Sequence, residues 1–446
     1  MKQILTLLAL TAGLHTLFAQ TTPLPVICGN EVFSHIVREK YPELDAAFRQ
    51  TFEEAQRNSH AAAAQRSALN VRVVVHVVWN GPEENLADSI ILNQIQVLNE
   101  DYNRMNADTG NLRPDFQFVA GSADIHFELA EIVRVQTDAL FEIDVLGNDL
   151  LSSLKSNATG GSDAWDTEHY LNIWVCKIQP TTIFGFPVGQ ILGFAFPPNG
   201  LANWPEGSNA PTAEEDGVVI DFRAFGSNNP NVVENPGGGD NLVMKGRTPV
   251  HEVGHYLGLR HIWGDGGLFG PNDCAQSDGI EDTPFASAQS AFDCDLSKNS
   301  CEQVELFYNE DPLDLVENYM DYSSESCMNM FTKGQVAQMR SVLMGPRAGL
   351  LDPVSTRQPV AALDCKLFPN PAQDRVVLAL QMQDQAEVNI RITGADGRSV
   401  LDIPKQTYFP GQQQIALDTR RLPTGMYFVH IQANEKTAVQ KLSIQR

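Results

Sequence analysis

The segment VRVVVHVVW, Val71 to Trp79, is apolar at nearly every position and rich in β-branched residues, which predicts a strand buried on both faces. Ile91, Ile95, Leu98 and Tyr102 then recur at helical spacing, so an amphipathic helix follows. IHFELAEI, YLNIWVCKI, ILGFAF and GVVIDFRAF are further strand patterns, and the stretch from about residue 70 to 225 reads as a sheet backed by helices. His76, His126 and His169 fall within or beside these strands and read as packing or surface residues. Towards the C-terminus the pattern changes to short alternating segments, RVVLAL, EVNIRI, MYFVHIQA and AVQKLSI, separated by turn sequences such as GADGR and FPGQ. That is the pattern of a small all-β sandwich.

The chain opens on MKQILTLLALTAGLHTLFAQ, with Lys2, an apolar run from Ile4 to Phe18, and Ala19. The run is too short to span a bilayer comfortably and predicts a cleaved secretory signal over residues 1–19. No later stretch is long and apolar enough to span, so a transmembrane segment is not expected. Residues 20–65 hold one helical pattern and then the small polar run SHAAAAQRSA, which reads as the exposed end of a pro-segment. A main domain is expected over 66–350, a linker of PVSTRQPVAA composition within 351–365, and the sandwich over 366–446.

Composition narrows the function classes. Hydrophobic residues make up 43% and charged residues 19%, as in folded globular proteins. The formal net charge of -24 repels phosphate backbones and anionic lipids, so nucleic acid is not an expected partner. It suits hard cations such as calcium, or cationic peptide segments. Four of the seven cysteines, Cys274, Cys294, Cys301 and Cys327, lie close together in an exported chain and predict two disulfides, with three pairings open.

The candidate chemistry sits in HEVGHYLGLRH, residues 251–261. On a helix His251 and His255 share a face one turn apart, and Gly258 allows the backbone to leave the helix in a left-handed conformation and return His261 as a third ligand. Three neutral imidazoles and a water make a tetrahedral zinc with one open position, and Glu252 stands where it can take a proton from that water. Peptide bond hydrolysis is the reaction implied. An exported binding or adhesion protein on an inert scaffold would be expected to lack Glu252 or a histidine, and both are intact. A zinc hydrolase of non-peptide amides is the third reading.

HExxHxxGxxH is the metzincin signature, and ENYMDYS supplies Met320 for the methionine turn that accompanies it. HEVGHYLGLRHIWGD, SDGIEDTP and NYMDYSSESCMNMFTKGQ together resemble the pappalysin family of metzincins over roughly residues 66–346. The resemblance implies an α+β fold: a metzincin-type zincin catalytic domain, with a twisted sheet, an active-site helix and a loop-rich lower subdomain, ahead of the sandwich. It implies Tyr322 as stabiliser of the oxyanion, disulfides Cys274–Cys301 and Cys294–Cys327, and calcium held by Asp278, Ile280 and Thr283. It implies Cys28 as a zinc ligand in a latent form, and cleavage before arginine of protein or peptide substrates. On that preference, Arg66 marks a self-processing site between Gln65 and Arg66, with Arg57 and Arg72 as rivals, and Glu325 is the candidate acid for reading the basic side chain. Residues 366–446, with KLFPNPAQDRVVLAL and LPTGMYFVHIQANEKTAVQKLSIQR, resemble the C-terminal sorting domain of the type IX secretion machinery. That resemblance implies export through the outer membrane, while a sugar-binding sandwich is the competing reading.

Overall fold

The computed structural model describes residues 26–30, scattered positions between 41 and 57, and residues 68–144, 149–183, 186–198, 209–235, 239–264, 274–351, 365–382, 385–394, 399–433 and 436–446. The signal over 1–19 and the Gln65–Arg66 bond lie outside the described residues. The chain divides into two compact units, Met1–Asp352 and Pro353–Arg446.

The first unit is built on a mixed five-stranded sheet. Its strands in chain order are β1 (Leu69–Trp79), β2 (Ile125–Gln136), β3 (Leu171–Cys176), β4 (Gly193–Ala195) and β5 (Val218–Asp221), and across the sheet they run β4-β5-β3-β1-β2. Only β4, at one edge, runs antiparallel to its neighbour. The near-continuous apolar run of β1 follows from its place inside a parallel array covered on both faces. Val71, Val73, Val75 and Val77 face the helices, whereas Val78 joins Trp174, Phe194 and Phe196 on the opposite side. Burying each of those valines is worth on the order of 1.5 to 3 kcal/mol. His76 occupies the second face, fully buried, with Nδ1 2.8 Å from Ser162 Oγ and Nε2 2.9 Å from Asn172 Oδ1.

Helix α1 (Asp88–Tyr102) lays Ile91, Ile95, Leu98 and Tyr102 on the sheet, and the Tyr102 hydroxyl donates to Val250 O at 3.1 Å in helix α2 (Arg247–Tyr256). Below α2 regular structure is sparse until helix α3 (Lys333–Met344), which starts on a capping box of Thr332 and Gln335. Disulfides Cys274–Cys301 and Cys294–Cys327 close this loop-rich part, where helices and strands supply few contacts.

The second unit is all-β: β6 (Cys365–Phe368), β7 (Arg375–Met382), β8 (Ala386–Gly394), β9 (Ser399–Tyr408), β10 (Gly411–Asp418), β11 (Gly425–Ala433) and β12 (Lys436–Ile444). They form a three-stranded sheet, β6-β7-β10, and a four-stranded one, β9-β8-β11-β12. Three strands escape the hydrophobic pattern, and β9 shows why: Pro404 lies within it, and proline is tolerated because β9 is an edge strand with a free side.

Candidate active site

Helix α2 begins on Gly246 in the left-handed region (φ 75°), a residue with no side chain to cap the helix. Glu325, from the loop after the methionine turn, takes that duty across the fold. Its Oε2 accepts from the amides of Lys245 and, at 3.1 Å, Arg247, and its Oε1 accepts from Thr248 N and Thr248 Oγ1, both at 2.7 Å. A carboxylate has about four lone-pair sites, and all are used. The expectation that Glu325 reads a substrate cation is therefore corrected: its charge is committed to the positive end of α2. Pro249 costs nothing in the first turn, where its missing N–H would have had no intrahelical partner.

One turn on, His251 and His255 project from the same face, both buried. The helix ends where the amide of Gly258 (φ 86°) donates to His255 O at 2.9 Å and that of Leu259 to Gly254 O at 3.0 Å. This glycine-terminated turn brings His261 back. The three Nε2 atoms then stand 3.0 Å (His251–His255), 3.1 Å (His255–His261) and 3.2 Å (His251–His261) apart. His251 Nδ1 donates to Tyr319 O at 2.6 Å and His255 Nδ1 to Leu259 O at 2.9 Å, so in both rings the unprotonated nitrogen faces the centre. Converging lone pairs at this distance repel unless a cation lies among them. Zinc bound tetrahedrally at about 2.0–2.1 Å sets its ligand nitrogens about 3.3–3.4 Å apart, a few tenths of an ångström from what is found. The residues fit the ion.

Met320 packs beneath the triad: a Cβ on Gly254 would lie 2.6 Å from its Sδ, so the close approach requires glycine there. The Trp263 ring stacks on His261 with centroids 4.4 Å apart and planes 4° from parallel. Glu252 is 1% exposed, and its Oε2 has no hydrogen-bond partner among the described residues. Gly193 makes room for it, since a Cβ there would lie 2.5 Å from Glu252 Cγ. Burial pushes the Glu252 carboxyl up to about 8, with the Cys28 thiol opposing the shift; a dication beside it pulls such a group back towards its ionised form.

Cys28 completes the cluster. Its Sγ and the three histidine nitrogens all lie within 4.8 Å of one another, every residue buried. Burial, then the neighbouring Glu252 charge, raises the thiol well above its ordinary range. Its backbone N–H donates to Tyr322 Oη at 2.9 Å, and the preceding Val26–Ile27 pairs in parallel with Gln190–Ile191.

Asp278, Ile280 and Thr283 sit together away from the triad. The Ile280 amide donates to Asp278 Oδ1 at 2.9 Å, and the Thr283 hydroxyl lies 2.9 Å from Asp278 Oδ2 and 3.0 Å from Ile280 O. Burial raises the Asp278 carboxyl well above its usual range. Arg72 belongs to central strand β1 and donates to His169 O, a place from which a protease could not draw out the backbone, so it drops out as a processing site. Arg57 is exposed on a helical stretch.

The sequence profile of the pregnancy-associated plasma protein-A family matches residues 240–344, and that of the secretion system C-terminal sorting domain matches residues 366–445. An extracellular metalloprotease of Pyricularia oryzae is 31% identical over 290 residues, 64% of this chain and 79% of that protein. The chain belongs to the pappalysin family. Another extracellular metalloprotease, from Arthroderma gypseum, is 31% identical over 306 residues and 82% of its length. Among solved structures, a promirolysin mutant of Tannerella forsythia matches with a TM-score of 0.55 and 34% identity, over 73% of this pappalysin and 96% of that chain. Mature mirolysin of the same organism, in complex with a cleaved peptide, matches at 0.50 and 36%, over 64% and 96%. This pappalysin is a zinc metalloendopeptidase of metzincin type, exported by its type IX sorting domain to the cell surface or beyond. No helix among its described residues is long and apolar enough to cross a membrane.

Two contributors carried no sequence signal: Tyr319 serves His251 through its backbone carbonyl, and Gly193 serves Glu252 through an absent side chain. Trp263, two residues beyond the motif, could have been found.

Proposed function

We propose that this pappalysin is made latent and, once processed, cuts peptide bonds before basic residues, with Glu252 as general base and Tyr322 as oxyanion donor. His251, His255 and His261 would hold zinc, which when bound supplies a Lewis acid that lowers the pKa of water to about 7 and polarises a carbonyl. Glu252, with a free oxygen beside the imidazole centre, takes the proton of the attacking water and passes it to the leaving amine. The Tyr322 hydroxyl, which accepts from Cys28 N and keeps its own proton, donates to the oxygen that becomes negative as the carbonyl carbon turns tetrahedral. The observation that carries this reading is the convergence of three buried Nε2 atoms beside a buried carboxylate with an unused oxygen.

Latency is supported by the position of Cys28, one residue that covers the imidazole centre with its sulfur and occupies Tyr322 with its amide. A thiolate is a strong zinc ligand and displaces water. In this reading residues 20–65 are the pro-segment after a signal over 1–19, the enzyme proper is 66–350, and 351–365 link it to the sorting domain. Calcium at Asp278, Ile280 and Thr283 belongs to the same proposal, supported by a buried carboxylate whose charge a hard cation would balance. Preference for a basic residue is supported by the carboxylates lining the cavity beside Glu252. The test is Glu252→Ala in the processed enzyme: zinc stays stoichiometric and casein cleavage disappears. Undiminished cleavage would overturn the mechanism.

A further inference from the structure

The methionine turn is fastened from the start of helix α3. Asn318 and Gln335, both fully buried, exchange a reciprocal pair of amide bonds: Asn318 Nδ2 donates to Gln335 Oε1 at 2.8 Å, and Gln335 Nε2 to Asn318 Oδ1 at 3.0 Å. A carboxamide presents oxygen and nitrogen in nearly the same shape, so its partners decide which way it faces. Here two backbone amides decide. The Thr332 amide donates to Gln335 Oε1 at 2.9 Å, and the Met320 amide donates to Asn318 Oδ1, also at 2.9 Å. Donor and acceptor therefore alternate in one order only, from the cap of α3 to the turn.

That order reaches the imidazole centre. Met320 N–H and Tyr319 C=O are the two ends of a single planar peptide unit, so holding one end aims the other. The aimed oxygen is the one that takes the Nδ1 proton of His251 at 2.6 Å, which leaves His251 Nε2 bare towards His255 and His261. Thr332, Gln335, Asn318, Tyr319 and Met320 are all sealed from solvent.

We propose that Gln335 is a positioning residue for the zinc ligand His251, acting through Asn318 and the Tyr319–Met320 peptide. This rests on the reading of the three histidines as zinc ligands. Groups that orient a zinc ligand from behind are worth roughly tenfold to a hundredfold in metal affinity. Gln335 acts at a further remove, so the low end applies. It also shares the capping box of α3 with Thr332, and the test has to part that duty from the positioning one.

The test uses the processed enzyme and reads zinc affinity by competition with a chromogenic chelator, and the visible absorption bands of the cobalt(II)-substituted protein, which follow the geometry of the ligand set. Gln335→Met keeps the bulk and a good helix former but removes both amide bonds. Zinc affinity falls by about tenfold, the cobalt bands move, and kcat drops with KM little changed. Thr332→Val keeps the backbone amide that orients Gln335 and loses only the hydroxyl that caps α3. It lowers Tm and leaves zinc affinity and the cobalt bands as in wild type. Gln335→Glu serves where the methionine variant does not fold: neutral, the new carboxyl donates to Asn318 Oδ1 as the amide does, and ionised it sets oxygen against oxygen. Burial holds such a group neutral to about pH 8, so the wild-type to variant affinity ratio rises from about one at about pH 6 to about ten at about pH 9. Zinc affinity and cobalt bands unchanged in Gln335→Met, an equal displacement by Thr332→Val, or a Gln335→Glu ratio that stays at one would overturn the assignment. A wild type that takes up no zinc would instead sink the reading of the three histidines.

Discussion

Replacing Glu325 with alanine tests whether this acid holds the active-site helix. The change strips the acceptor from the amides of Lys245, Arg247 and Thr248 and from the Thr248 hydroxyl. Loss of an N-terminal cap alone costs about 0.5–2 kcal/mol, and hydrogen bonds to a charged group are worth roughly 1.5–3 kcal/mol each. Glu325 borders the cavity beside Glu252, so water can enter and satisfy part of what is lost; the bonds therefore do not add in full. A destabilisation of about 3 kcal/mol is expected. For a unit of this size, with about 2.1 cal/mol/K of unfolding entropy per residue, that lowers Tm by roughly 4–5 °C, read by calorimetry on the transition of the first unit, while the second unit's transition stays put. Glu325→Gln keeps one acceptor oxygen but turns an amide nitrogen towards backbone donors, so it falls as far as alanine or nearly so. A Tm within about 2 °C of wild type for both variants would refute the capping argument.

The other expectations are shorter. Cys28→Ala should let the uncut chain cleave a peptide without prior processing, since both the sulfur and its reach to the imidazole centre are gone; a variant as silent as wild type would remove Cys28 from latency. His76 is pushed down to about 4 by burial, against its contact with Asn172, so its neutral form is favoured on folding. Stability from this residue is complete above about pH 6.5 and declines by about 3 kcal/mol as pH falls to 4. Denaturation of wild type and His76→Gln across that range should converge at the acid end, and parallel curves would refute it. Calcium chelation should lower both the thermal midpoint and activity, and indifference would withdraw Asp278, Ile280 and Thr283 as ligands.

What was legible in the chain was whatever depends on neighbours in sequence. The β1 run, the helical spacing of Ile91, Ile95, Leu98 and Tyr102, and the histidine motif with its turning glycine are all local patterns. Each lies within a residue or two of where its pattern points. What hid was set by distant partners. Glu325 caps a helix nearly 80 positions earlier, and nothing in SSESC announces it. Strand β9 keeps its proline because it has a bare flank, a fact of topology and not of composition. An acid near the methionine turn reads as a substrate contact until its four donors are seen.

Cys327 lies two residues past Glu325 and five past Tyr322, so the Cys294–Cys327 closure tethers the strip that carries both. Reducing that 33-residue loop, and the 27-residue one beside it, returns about 3–4 kcal/mol of chain freedom apiece to the unfolded state. Thiols stay reduced in the cytoplasm. A newly made chain there has the weakest hold on its own cutting machinery, and the oxidising journey outward tightens it, so that machinery is fully braced only outside the compartment that made it.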